Sequence, residues 1–357
     1  MKTKIKFKKA TSLFHLELKE EVKGLLTTKI IENAKKMIVA KFIFYSIIFI
    51  LSYLNLFNPS MESNSWAVVI NYIVVGLSGI LLAFNCSHDC VHNTFSQNKE
   101  LNQLIYYITF NLQGVNAKLW RKRHIASHHV FPNVEGCDAD IDDNPFIRLS
   151  ATQPRKKFHQ YQHFYVSVLY CFYTLHWILI KDFIYLRKKE LANLRNQNHS
   201  FSFIVEVILL KLAYFGYMII IPIFLTNIPM VTIIISFVVM HLTISLFFVL
   251  TLIISHLSLE TDFPTASNDG YLPYDYYEHQ LAVSLDYHPT SRVANWIFGG
   301  FNSHAAHHLF PHLPHTVYTK ITPIIQKVAY KNNLPYHEKN IVDAIISHYQ
   351  YLKKLSQ

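Results

Sequence analysis

Three stretches of the chain carry histidines at spacings suited to holding metal ions. They are His88-Asp89-Cys90-Val91-His92, His124-Ile125-Ala126-Ser127-His128-His129 and His304-Ala305-Ala306-His307-His308. On a helix, residues three or four apart share a face, with Cβ atoms about 5–6 Å from each other. His88 with His92, His124 with His128, and His304 with His307 meet that spacing, and the adjacent pairs ending in His129 and His308 widen the ligating face. Imidazole binds iron, zinc, copper and nickel alike, so the ligand type names no metal. Number says more: eight imidazoles exceed the four positions of one tetrahedral site, and a pair of ions would use them. A metal-bound histidine usually gives its other ring nitrogen to a carboxylate or carbonyl. Asp89, inside the first cluster, and Asp140, in the acidic run Asp138–Asp143 after the second, are candidate partners of that kind.

Other histidines read differently. His256 closes an apolar stretch, and its spacing leaves open a ligand or a satisfied helix-end residue. His241 lies deeper in the same stretch with no partner in the sequence, which favours packing or a hydrogen bond. His159 and His163 precede an apolar segment and read as interfacial or as partners of ligands. His312 and His315 sit among prolines, which make a turn and not a ligating helix. The cysteines Cys86, Cys90, Cys137 and Cys171 have neither disulfide-framework nor metal-ribbon spacing and are expected to be reduced, structural thiols.

Elements able to position these clusters must suit an apolar solvent. Hydrophobic residues make up 51% of the 357 residues and charged ones 16%, against about 25% charged in soluble domains. That balance excludes a disordered chain and an ordinary soluble enzyme. The net charge of +10 comes from basic residues flanking apolar stretches, which fits anionic headgroups better than nucleic acid. Residues 42–61 and 66–87 contain no charge apart from their short connection, and each is long enough to span a bilayer core of about 30 Å. A second hairpin is expected at 203–225, with Lys211 snorkelling, and 231–255, broken by Thr226-Asn227-Ile228-Pro229. Residues 101–117 and 164–180 read as interfacial. The basic stretches Lys118–Arg123 and Arg187–Lys189 place the clusters on the cytoplasmic side. The N-terminal segment has no apolar core and reads as a cytoplasmic arm. One domain over 1–357 is expected, an all-α integral membrane protein with four transmembrane helices in two hairpins and a cytoplasmic cap bearing the histidines.

The order of the clusters with this hydropathy resembles the membrane-bound fatty acid desaturases. The likeness extends from about residue 5 to about residue 340 and includes Asn133-Val134-Glu135-Gly136-Cys137-Asp138-Ala139-Asp140-Ile141-Asp142, Arg148-Leu149-Ser150, the run from His159 to His163, Trp296-Ile297-Phe298-Gly299-Gly300-Phe301-Asn302, and His307-His308-Leu309-Phe310-Pro311. These look like the acyl-CoA, front-end type of bacterial desaturase. One departure stands at position 304, where front-end members usually carry Gln and this chain carries His, as stearoyl-CoA and methyl-end desaturases do. No His-Pro-Gly-Gly haem pattern occurs, so no fused cytochrome domain is expected. The resemblance implies a non-haem di-iron centre held by His88, His92, His124, His128, His129, His304, His307 and His308, and it raises His256 to a ninth ligand.

The implied chemistry is insertion of a double bond into an acyl chain, on coenzyme A or a lipid, with dioxygen and two electrons from an external ferredoxin or a cytochrome of the b class. Unactivated methylenes have no useful acidity, so acid–base side chains cannot do this and a metal oxidant must. Arg121, Lys122, Arg123, Arg155, Lys156 and Lys157 are candidates for binding a phosphate-bearing headgroup, or plain contacts with anionic lipid. A di-iron lipid hydroxylase is the nearest alternative. A metal transporter or sensor is a distant one, because it needs ligands at the bilayer midplane.

Overall fold

A computed structural model of the protein describes residues 4–9, 13–141 and 145–357; Asp142 and Asp143 of the acidic run lie outside them. In chain order the helices begin with α1 (Phe14–Leu25), α2 (Thr28–Asn55), α3 (Ser65–Val91), α4 (Lys99–Asn111) and α5 (Ala117–Arg123). A bent pair follows, α6 (Lys157–Cys171) and α7 (Tyr173–Arg187), then α8 (Phe201–Leu225) and α9 (Met230–Ile253). The C-terminal third holds α10 (Tyr276–Ala282), β1 (Leu285–Tyr287), α11 (Arg292–Phe298), α12 (His304–Leu309), α13 (Tyr318–Lys331), β2 (His337–Lys339) and α14 (Ile341–Ser356).

Among the described residues, α2, α3, α8 and α9 are the straight helices long and apolar enough to cross a membrane. Caps, not charges, set their ends. α2 starts at Thr28 because Thr27 Oγ1 accepts from Ile30 N at 3.3 Å, so the first span begins well before residue 42. Lys29, Lys35 and Lys36 ride on its extension, and Pro59 ends the apolar run in a short turn. The 27 residues of α3 rise about 40 Å, which carries the first histidine cluster to the edge of an apolar core of about 30 Å. The stretch expected to lie in the interface at 164–180 is bent, with α6 and α7 meeting at 68°. Lys211 does not snorkel either. It is buried with Nζ 2.5 Å from Asp182 Oδ2 and 2.6 Å from Gly114 O, because an inward carboxylate completes its bonding where lipid would not.

α3 lies between α2 and α9. Gly76 allows the close approach, since a Cβ there would stand 2.5 Å from Met240 Cγ. Tyr72, Val75, Ile233 and Met240 pack in this seam with almost no exposure. Below it, β1 pairs in parallel with β2, and α14 clasps the segment after α9 through His348 Nδ1, which donates to Leu257 O at 2.6 Å. Gly299 ends α11 in the left-handed region (φ +60°), and a Cβ on it would meet the Phe84 carbonyl oxygen at 2.4 Å, one turn before His88. Gly299→Ala is therefore expected to cost about 1–3 kcal/mol in backbone conformation alone, read as a lower unfolding temperature in detergent. An unchanged temperature would contradict the close approach.

Candidate metal centre

Nine histidines from distant stretches converge in two groups. In the first, His88, His92, His124, His129 and His307 bring a ring nitrogen each to within 4.8 Å of one another; in the second, His128, His256, His304 and His308 do the same. All nine except the half-buried His92 are buried. The clusters contribute across the groups, and local backbone geometry explains how. After α5 the chain makes a π turn at His124–His128, in which His129 N donates to His124 O at 2.9 Å. Residues five apart then share a face, so His124 pairs with His129 while His128 turns to the second group. The pairing of His124 with His128 expected from α-helical spacing is thereby replaced. On α12 the shared face joins His304 to His308, and His307 points to the first group.

The Nε2 atoms of His256 and His304 face each other without a proton to share. In the second group the Nε2–Nε2 separations are 2.7 Å for His256–His304 and 3.2 Å for both His256–His308 and His304–His308. His256 Nδ1 lies 2.8 Å from Val283 O and His304 Nδ1 3.3 Å from Phe301 O. A carbonyl only accepts, so in these neutral rings Nδ1 bears the hydrogen and Nε2 a bare lone pair. Two lone pairs at 2.7 Å repel unless a cation lies between them. Ligands at about 2.1 Å from one ion stand about 3.0–3.4 Å apart for right-angled to tetrahedral arrangements. The first group is as closely spaced, with His124 Nε2 at 3.1, 3.2 and 2.9 Å from Nε2 of His88, His92 and His129. Neither nitrogen of the buried His307 ring has a hydrogen-bond partner among the described residues. These donors fit borderline metal ions such as iron.

Electrostatics keep most rings in the ligating form. Burial, then the neighbouring imidazoles, push His124, His129, His304, His307 and His308 well below the ordinary histidine value. Burial takes His92 to about 4, and burial with the nearby His128 takes His256 to about 3. His128 goes the other way: burial opposes its charge, but Asp138 and Asp140 outweigh it and hold its pKa up. Rings depressed in the fold stay neutral while the unfolded chain takes up protons below about pH 6.5. Stability is therefore full above that pH and is lost as pH falls toward 4. Metal-free protein is expected to melt progressively lower from pH 7 to pH 5, and metal-loaded protein to release its metal over the same range. A flat melting temperature would contradict the neutral cluster.

The carboxylate that orients His128 is Asp138, its Oδ1 3.1 Å from Nδ1, with Oδ2 accepting from Asn133 N at 2.9 Å. Asp140 Oδ2 is at 3.5 Å, is about half exposed, and pairs with Arg123 at 3.3 Å. Asp89 bonds no ring of either group. Consecutive helical residues point about 100° apart, and Asp89 instead accepts from His315 and from Thr94 Oγ1. Asn133, missed in the sequence, has positive φ and donates through Nδ2 to His256 O and Asp262 O. A single asparagine in a loop carries no periodic signal that would reveal it.

An apolar cavity of about 140 Å³ opens on the histidines. His88, His124, His128, His256 and His304 line it, together with Ile80, Phe110, Gln113, Thr174 and Ile244. Along α3, from His88 to Ile80, this runs about 12 Å. His241 is hydrogen-bonded to Oγ1 of the lining residue Thr174 and to Tyr214 OH, each at 2.8 Å. His159 and His163 belong to neither group; His163 Nδ1 lies 3.3 Å from Ser356 Oγ.

Of the basic residues expected to meet a headgroup, Arg123 is turned inward: it is 2% exposed and stacks on Tyr185 and Trp177 at 4.3 and 5.2 Å. Its aromatic cage offers a better seat than water for a weakly hydrated guanidinium. Arg155 donates to Ser356 O at 2.7 and 3.0 Å. Arg121 and Lys122 are partly exposed, and Lys156 and Lys157 exposed.

The family model described as fatty acid desaturase matches residues 64–340. Similar proteins include the sn-1 linoleoyl-lipid 6-desaturase of Arthrospira platensis, 27% identical over 82% of this chain and 78% of the relative. Its counterpart in Synechocystis is 26% identical over 80% and 79%. The acyl-lipid (8-3)-desaturase B of Dictyostelium discoideum is 27% identical over 96% of this chain and 76% of its own.

Proposed function

Because the chain belongs to the fatty acid desaturase family and is a lipid oxidoreductase, we propose that it inserts a double bond into an acyl chain at a di-iron centre. His88, His92, His124, His129 and His307 would hold one iron, and His128, His256, His304 and His308 the other. The observation that carries this reading is the lone-pair-to-lone-pair packing of His256 and His304. Iron in such a setting supplies activation of dioxygen and an oxidant able to take hydrogen from an unactivated methylene. Two electrons come from an external ferredoxin or cytochrome of the b class.

The protein's share is position and dryness. Val283 O, Phe301 O and Asp138 fix the tautomers of His256, His304 and His128, so their Nε2 atoms need no rearrangement to ligate. Phe84, Trp120, Leu252 and Phe301 line the cavity beside the rings and exclude water from the reacting carbons. Each buried methylene contributes about 0.8 kcal/mol, so the depth to which the chain fills the cavity sets which carbons face the rings. The names of the similar proteins support a lipid-linked acyl substrate, with acyl-CoA the other carrier. The basic stretches next to α5 and α7 support a site on the cytoplasmic face.

Expression in a host of known lipid composition, followed by fatty-acid analysis with double-bond location, tests this. A new acid lighter by two hydrogens is expected. An acid heavier by one oxygen would replace desaturation by hydroxylation.

A further inference from the structure

The proline-bounded turn at His315 finds a use in the fold. His315 is 1% exposed and Lys41, on α2, is also 1% exposed. Lys41 Nζ has three neighbours: Asn85 Oδ1 at 2.8 Å, Asn295 O at 3.0 Å and His315 Nε2 at 2.8 Å. On its other side, His315 Nδ1 meets Asp89 Oδ2, and His315 N donates to Asp89 Oδ1 at 3.1 Å. Thr94 Oγ1 donates to the same oxygen at 2.8 Å.

Donor and acceptor inventories give this chain a direction. A carboxylate only accepts, so Nδ1 carries the proton of the neutral ring and Nε2 accepts. The ammonium supplies three donors and meets three acceptors. The order is thus Lys41 to His315 to Asp89, with no buried donor or acceptor left over. Asp89 directly follows His88 in the last turn of α3, just after the π turn at Ala83–Ser87. Holding Asp89 fixes the rotation of that turn about its axis, and with it the aim of His88 and His92.

We propose that Lys41 and His315 are positioning residues for the first histidine group, acting through Asp89; this rests on the reading that the group holds iron. Neither residue touches a ring of that group. A glutamine at position 315 keeps a donor and an acceptor on the two arms of its amide, whereas leucine keeps neither.

Anaerobic iron(II) titration of the full-length detergent-solubilised protein tests this, comparing wild type with Lys41→Met, His315→Leu and His315→Gln. In Lys41→Met and His315→Leu, one of the two iron sites is expected to weaken by about 10–100-fold, the usual effect of altering an outer-sphere partner, with the other unchanged. His315→Gln is expected to bind both ions close to wild type. Equal affinities in all four proteins would overturn the proposal, and so would a His315→Gln protein as weak as His315→Leu. Should Lys41→Met fail to give monodisperse protein, the two variants at position 315 decide. Wild-type protein that binds two ions yet makes no double bond would sink the desaturase reading and leave this comparison intact.

Discussion

Replacing His307 by alanine is expected to abolish product formation while leaving a folded, membrane-inserted protein. Both ring nitrogens of His307 lack a hydrogen-bond partner among the described residues, so the substitution strands no protein group, and stranding is what makes most buried polar deletions costly. What it removes is one of the five nitrogens of the first group. Loss of activity should exceed about 100-fold, beyond the range for residues that only orient a ligand, and one iron should be lost. His128→Ala is expected to be as inactive but less stable, because it leaves the buried Asp138 carboxylate short of its ring partner. Fatty-acid profile, iron content and elution behaviour check both. Full activity in either variant would remove that histidine from the site.

Blocking the cavity should separate substrate from metal. Ala83 lines it one turn from His88, together with Leu252 and Thr174. Ala83→Trp is expected to give protein with its full iron complement and no detectable product, since the indole occupies the space an acyl chain needs. Overpacking, where the ring presses on the wall, costs about 1–3 kcal/mol and should show as a modest drop in melting temperature. Wild-type turnover by the iron-loaded Ala83→Trp enzyme would place the substrate elsewhere.

Much of this architecture was readable from residue order. Long apolar stretches mark four candidate spanning helices, and the three histidine clusters mark metal chemistry, because both signals are local. The start of α2 was misplaced because lysines end an apolar window without ending a helix, and Thr27 is the actual cap. The pairing within clusters was misread for a similar reason. Spacing assumes 3.6 residues per turn, and the π turn at His124–His128 breaks that assumption. Long-range partners left no trace: Asp138 reaches His128 only because the chain reverses between them, and Lys41 and His315 meet across 274 residues. Arg123 looked like a surface cation until α7 supplied Trp177 and Tyr185 around it.

The central claim is that imidazoles from both halves of the chain enclose a pair of iron ions. Metal analysis with Mössbauer spectroscopy on protein purified without oxygen tests it most directly. Two irons per chain are expected, in two histidine environments distinguishable by ligand number. Protein that is folded and monodisperse yet takes up no iron when iron(II) is supplied, or saturates at one ion, would contradict it.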